Sequence, residues 1–312
     1  MRRATQSEAT LARIGWGALI AVLVVAPWLL YPLFLVKVLC YAMFACAFNL
    51  LLGTCGLMSF GHAAFFGSAA YIAGHAAKVW GLPFEAALFC AVAAASLLGV
   101  VFGYISIRRQ GIYFAMITLA LAQLTYFVAF QLPFTHAEDG LTGIPRGKVL
   151  GLLSLDNNVV LYYTTAVIFL GAFSLVHVIL NSTFGQVVRA VRDNETRAVS
   201  LGFEVNRFKL LAFTLSAAIA GLAGANKAIA FKLATLVDVH WSTSGNVVLM
   251  TLLGGLGTLF GPVAGAVIFV TLENYLADSG LPVQLVIGAI FIGCILLFRR
   301  GVVGEIEHLL KR

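Results

Sequence analysis

Residues 184–209 read FGQVVRAVRDNETRAVSLGFEVNRFK, a polar, arginine-rich stretch between an apolar run ending near Leu180 and another beginning at Leu210. At 3.6 residues per turn, Phe184, Val187, Val188, Val191, Ala198 and Leu201 fall on a broken apolar stripe, while Gln186, Arg189, Arg192, Asp193, Thr196 and Arg197 take the other face. The pattern predicts two short helices with a bend. Asp193 or Asn194 would cap the second, and Gly202 would end it. Such a loop is either a docking element through which force enters the membrane part, or a connector resting on anionic headgroups, which arginines also favour.

Outward from this loop the chain is almost entirely membrane. Of 312 residues, 61% are hydrophobic and 11% charged, and the mean hydropathy is +0.98, against about 45–50% apolar residues in soluble domains. The net charge of +7 comes from basic residues in short loops and at the ends, where the positive-inside rule accounts for them. It implies a lipid bilayer as partner and no nucleic acid. Five cysteines, Cys40, Cys46, Cys55, Cys90 and Cys294, show no CxxC or Cys/His ligand spacing and read as small buried hydrophobes. The first apolar run follows Arg2, Arg3 and Arg13 but has no small-residue cleavage site behind it. With Pro27, Trp28, Tyr31 and Pro32 at its end, it reads as a retained first helix reaching an interfacial belt.

Crossing the bilayer takes roughly 20 apolar residues, which predicts spans near 14–31, 33–53, 57–77, 84–107, 112–133, 160–180, 210–231 and 283–298. Region 244–275 is too long for one span and is interrupted by Gly254, Gly255, Gly257, Gly261 and Pro262. With the N-terminus cytoplasmic, Arg108, Arg109 and the arginines of the loop fall inside. A single crossing at 244–275 would put Arg299, Arg300, Lys311 and Arg312 outside, against the charge bias. A broken or re-entrant hairpin returns the C-terminus to the cytoplasm and leaves Glu273 and Asp278 outside. The expected fold is an all-α, polytopic transmembrane bundle of eight full spans plus that hairpin, or ten spans, in a single domain over 1–312.

Irregular backbone at membrane depth is tolerated where it is buried in protein or lines a cavity. Two segments meet that test: 53–62, with Ser59, Gly61 and His62, and the break at 254–262, with Gly254, Gly255 and Gly257. Either is a packing device, since glycines let helices approach closely, or a lining of a translocation path. No Asp or Glu lies mid-span, which argues against an ion-coupled transporter built on intramembrane carboxylates. Lys227, near the outer end of its span, reads as a snorkelling lysine. His62 and His75 lack the partner histidines that a pair of haems would need, His177 being the one other candidate. No GxxxxGK[ST], HExxH or GxSxG motif occurs, so the chain is not expected to be an enzyme or to hydrolyse ATP itself.

The run GQVVRAVRDNE at 185–195 is followed by Ala198, by SLG at 200–202, by FKLLAF at 208–213 and by SAAIAGLAGA at 216–225. Together with GLMSFGHAAFFG at 56–67 and LGGLGTLFGPVAGA at 253–266, these closely resemble the permease family of branched-chain amino acid ABC importers, in particular its M-type subunit. The three motifs come in the family's order and cover nearly the whole chain past the first span. The resemblance implies a subunit of the bacterial inner membrane, paired with a second homologous permease, two cytosolic ATPase subunits that carry ATP and Mg, and a periplasmic solute-binding protein. No cofactor is expected on this chain. Loop 184–209 would then be the coupling element, with Arg189, Arg192, Asp193, Glu195, Arg197, Leu201 and Gly202 facing the ATPase. Arg197 and Val199 depart from the alanine and acidic residue common in relatives. Leucine, isoleucine or valine is the family's usual cargo; urea, short amides and aromatic acids are the alternatives.

Overall fold

The computed structural model describes residues 6–149, 151–277, 282–297 and 301–310. Asp278, Arg299, Arg300, Lys311 and Arg312, on which part of the topology argument rests, lie outside them. The described chain is helical apart from four two-residue strands. In order it forms α1 (Gln6–Leu29), α2 (Pro32–Cys55), α3 (His62–Lys78), α4 (Phe84–Ser106), α5 (Ile112–Gln131), α6 (Asn158–Asn181), α7 (Thr183–Asp193), α8 (Glu195–Ser200), α9 (Val205–Phe231), α10 (Leu236–Val239), α11 (Trp241–Gly254), α12 (Gly261–Ala277), α13 (Val283–Leu297) and α14 (Gly301–Leu310).

Among the described residues five helices, α2, α4, α5, α6 and α9, are long and apolar enough to cross a membrane; α12 and parts of α1 and α13 are shorter apolar helices. The expected third span is shorter than its apolar run, because residues 56–61 stay non-helical and α3 starts only at His62. Gly56 ends α2 in the left-handed region (φ 69°), its N–H bonding the Leu52 carbonyl, a conformation glycine takes without a Cβ penalty. The run at 244–275 divides into α11 and α12 around residues 255–260. The short C-terminal helix α14 was not anticipated.

The core centres on α9, which packs on α2, α3 and α4, while α2 also packs on α6 and α12. Small residues set that approach, as is usual where lipid removes the hydrophobic drive between helices. A Cβ on Gly99 of α4 would stand 2.5 Å from that of Ala217 of α9, and Gly224 of α9 lies against the Phe66 backbone of α3. At one end of the bundle, β1 (Leu141–Thr142) pairs antiparallel with β4 (Leu233–Ala234), and β2 (Lys148–Val149) with β3 (Leu153–Ser154). Arg146 fastens this cap, donating from Nε to the Ala230 carbonyl at 3.0 Å and from Nη1 to Asn158 Oδ1 at 3.0 Å.

Lys227 does not snorkel. Its ammonium pairs with Asp238, a buried carboxylate on α10 that also accepts from the Thr235 hydroxyl at 3.1 Å. The half-buried cation offsets the desolvation cost that the buried carboxylate would carry alone. Cys40, Cys46 and Cys55 are buried thiols as expected, whereas Cys90 and Cys294 are only half-buried.

Candidate functional site

The loop at 184–209 folds as α7 and α8 with a turn between them. Ser182 caps α7, its hydroxyl accepting from the Gly185 N–H at 3.2 Å, and Asn194 caps α8, its Oδ1 accepting from the Arg197 N–H at 2.9 Å. Val191, Ala198 and Val205, with Val187 beside them, form a small core of their own under the loop. Gly202 follows α8 at φ 84°.

Two arginines that periodicity assigns to the polar face reach inward instead. Arg189 donates to the Leu180 carbonyl at 2.6 Å, at the C-terminal end of α6. Arg192 donates from Nη1 to the Gly53 carbonyl at 2.5 Å, near the end of α2, and its remaining nitrogens meet Asp193 Oδ1 at 3.1 and 3.2 Å. The last carbonyls of a helix have no intrahelical donors and carry the negative end of its dipole, so each guanidinium answers a need of the helix it touches. Gly56 is part of the same contact: a Cβ there would come within 2.8 Å of the Arg192 side chain.

Glu195 makes the third attachment. It pairs with Lys209 of α9 at 2.6 Å, a lysine whose side chain is 4% exposed, and accepts from the Gln110 amide beside α5. The loop is thereby fastened to α2, α6, α9 and the start of α5. Three apolar side chains are left in solvent among its polar ones: Val199 (57% exposed), Leu201 (70%) and Phe203 (37%) stand out on the α8–α9 turn. A hollow of about 380 Å³ lies beside them, bordered by Gly202, Phe203, Glu204, Arg207, Phe208 and Leu211. Asp193, Arg197 and Gly202 are exposed along with them.

The glycine break between α11 and α12 touches the same helix that Arg192 holds. Asn49 of α2, buried and overlooked as a site residue by sequence reasoning, donates from Nδ2 to the Thr258 carbonyl at 2.9 Å and accepts the Gly257 N–H on Oδ1 at 3.0 Å. Thr258 closes the turn, giving its hydroxyl proton to the Gly255 carbonyl at 2.9 Å and accepting the Gly261 N–H at 3.1 Å. Gly255 (φ 123°) and Gly257 (φ 74°) adopt backbone that L-residues rarely take. Gly254 and Gly265 bring α11 and α12 to backbone contact. One polar residue in an apolar run was the signal for Asn49.

Ser59, Gly61 and His62 form a separate group at the start of α3. Ser59 Oγ accepts the Gly61 N–H at 3.1 Å, Thr118 accepts that of Phe60 at 3.2 Å, and Ser244 accepts that of Ala63 at 2.8 Å. His62 is fully buried, its Nε2 2.8 Å from Ser216 Oγ, with Phe48, Phe65 and Phe213 around the ring. The Ser216 hydroxyl spends its one proton on the Ala47 carbonyl at 2.5 Å, so Nε2 is the protonated ring nitrogen and donates to the serine. Nδ1 has no partner among the described residues. Among those residues no group of three or more His, Cys, Asp or Glu could hold a metal ion.

The described residues form a largely apolar helical bundle, with five helices long and apolar enough to cross a membrane, carrying a polar loop buttressed by its helix ends. Residues 31–298 match the family described as branched-chain amino acid transport system / permease component, and the chain belongs to that family. Its members are non-catalytic, multi-pass permease components typical of the bacterial inner membrane. The chain is 24% identical over 275 residues to the high-affinity branched-chain amino acid transport system permease protein LivM of Escherichia coli (strain K12), covering 81% of this chain and 65% of that protein. The LivM protein of Salmonella typhimurium (strain LT2) matches with the same identity and coverage. The chain thus spans just under two thirds of the length of these curated relatives. No solved structure matches it.

Proposed function

We propose that the chain is the transmembrane permease subunit of an ATP-driven importer, moving branched-chain amino acids or related small solutes by alternating access. The observation that carries this reading is the loop itself. It offers Val199, Leu201 and Phe203 to a partner, and behind them Arg192 and Glu195 fasten it to α2 and α9. A push on the loop is therefore delivered to helix ends rather than absorbed by a slack connector.

In this reading Arg197, Leu201, Gly202 and Asp193 face a cytosolic ATPase that holds ATP and Mg, while Arg189, Arg192 and Glu195 transmit the movement inward. A second homologous permease completes the path, and a periplasmic binding protein supplies solute. Both termini are cytoplasmic, with eight spans and the α11–α12 hairpin, or ten spans. Gly254, Gly255 and Gly257 flex at the break, and Ser59, Gly61 and His62 brace the start of α3. Leucine, isoleucine and valine are the cargo favoured by the names of the matched family and relatives.

The test is affinity purification from the native membrane with mass spectrometry of the co-purifying proteins, repeated with Leu201→Asp. Two ATPases and a second permease are expected with the wild type, and the ATPases are expected to drop out of the variant while the chain stays in the membrane. Recovery of the wild-type chain alone, active in liposomes without ATP, would overturn the proposal.

A further inference from the structure

At the end of α2 opposite the loop, a hollow of about 480 Å³ opens between the α1–α2 turn, the end of α9 and the end of α12. Its wall has two characters. Leu33, Phe34 and Phe231 make an apolar side, and Lys37, Thr271 and Asn274 make a polar one. Lys37 pairs across the helices with Glu273 of α12, which stands behind it rather than on the wall, at 2.9 Å, with both side chains about one third exposed (28% and 36%). The Thr271 and Asn274 side chains make no hydrogen bond among the described residues. Tyr31 and Tyr275 stand exposed in its lining, a residue type that marks a membrane–water interface.

We infer that this hollow is a binding site for a zwitterionic amino acid with an aliphatic side chain, which inserts between Lys37 and Glu273. The inference rests on the importer reading for its place in transport, but not for the binding itself. An ion pair one third exposed is a weak tie, and opening it exposes one cation and one anion a few ångströms apart. An α-amino acid carries the complementary pair on a single carbon. Its carboxylate takes the Lys37 ammonium, its ammonium takes the Glu273 carboxylate, and both are charge-assisted contacts. Thr271 and Asn274 supply the remaining hydrogen bonds. The aliphatic side chain lies on Leu33, Phe34 and Phe231. An anion or a cation alone satisfies half of the pair and leaves the other half unpaired, which selects against both.

The position gives the site a consequence. Lys37 and Gly53 are sixteen residues apart on one helix, about 24 Å at 1.5 Å per residue, and Gly53 is where Arg192 holds. Glu273 lies on α12, which begins at the break gripped by Asn49. Parting Lys37 from Glu273 loosens α2 from α12 at one end while the loop holds α2 at the other.

The experiment measures L-leucine binding to the full chain, purified with whatever partners accompany it, in lipid nanodiscs by saturation-transfer NMR. The comparison probes are 4-methylpentanoate, which lacks the ammonium, and 3-methylbutylamine, which lacks the carboxylate. Leucine alone is expected to bind saturably. Lys37→Met and Glu273→Gln are each expected to weaken it by about tenfold or more, the loss of one hydrogen bond to a charged group. Lys37→Met with Glu273→Met leaves no unpaired ion, is expected to keep the protein folded, and should still not bind. The exchange Lys37→Glu with Glu273→Lys restores the helix tie with reversed polarity and is not expected to restore leucine. Leucine binding that persists in the single variants, returns in the exchange, or is matched by either half-charged probe overturns the site. ATP-driven leucine uptake measured on the same wild-type complex reports separately on the importer reading: uptake without charge-dependent binding sinks only the pocket, and binding without uptake sinks only the transport role.

Discussion

Replacing Arg192 with Met should break transmission through the loop while leaving the fold intact. Methionine keeps an apolar stem over Gly56 and removes the guanidinium that donates to the Gly53 carbonyl at 2.5 Å. A hydrogen bond from a charged donor contributes about 1.5–3 kcal/mol. The lower end applies because the Arg192 side chain is 40% exposed and solvent can reach the carbonyl once it leaves. Its pairing with Asp193 is a surface contact worth about 0–1 kcal/mol and adds little. The loss is therefore about 1.5 kcal/mol, roughly a tenfold shift in the equilibrium between attached and detached loop. The loop would still present Leu201 and Phe203 to an ATPase, so ATP hydrolysis by the assembled complex should stay within about twofold of wild type. Solute moved per ATP should fall by about tenfold, measured in proteoliposomes reporting both quantities on one preparation. An unchanged ratio would refute the role of Arg192. So would hydrolysis and uptake falling in proportion, since that pattern means lost assembly.

Three further outcomes follow from the same geometry. Gly202→Ile forces a β-branched residue to φ 84°, a strain of about 1–3 kcal/mol at the turn, and should uncouple hydrolysis from uptake; full uptake per ATP in that variant would count against the turn. Asn49→Leu leaves the Gly257 N–H and the Thr258 carbonyl without their partner at a part-buried turn, about 1 kcal/mol for each, and should lower the thermal midpoint in detergent; an unshifted midpoint would mean the break stands without α2. Glu195→Gln strands the Lys209 ammonium, whose side chain is 4% exposed, and should cost about 3 kcal/mol, while adding Lys209→Met should recover most of it, with unfolding in urea or heat as the readout.

The helical class, the loop and the position of the glycine break were legible because each is written in local terms: apolar run length, 3.6-residue periodicity, and glycine where the backbone must turn. Asn194 and Gly202 could be assigned as cap and stop for the same reason. Periodicity failed at Arg189 and Arg192. It sorts residues by the direction of the Cβ, and an arginine is long enough to leave its own face and reach a carbonyl on another helix. Lys227 and Asp238 were missed because their partnership crosses a turn whose path no repeat encodes, and Lys37 and Glu273 because they are 236 positions apart in the sequence. Asn49 was visible as a lone amide in an apolar run, but its two partners lie more than 200 residues away.

That distance bears on biogenesis. The first long apolar helix enters the bilayer with an amide whose donor and acceptor have no mates until α11 and α12 have been made, some two hundred residues later. At a synthesis rate of about 5–20 residues per second this is an interval of roughly 10–40 s. Through it the nascent protein carries an unsatisfied polar group at membrane depth, a mark by which a chaperone or a quality-control protease can distinguish an unfinished bundle from a closed one.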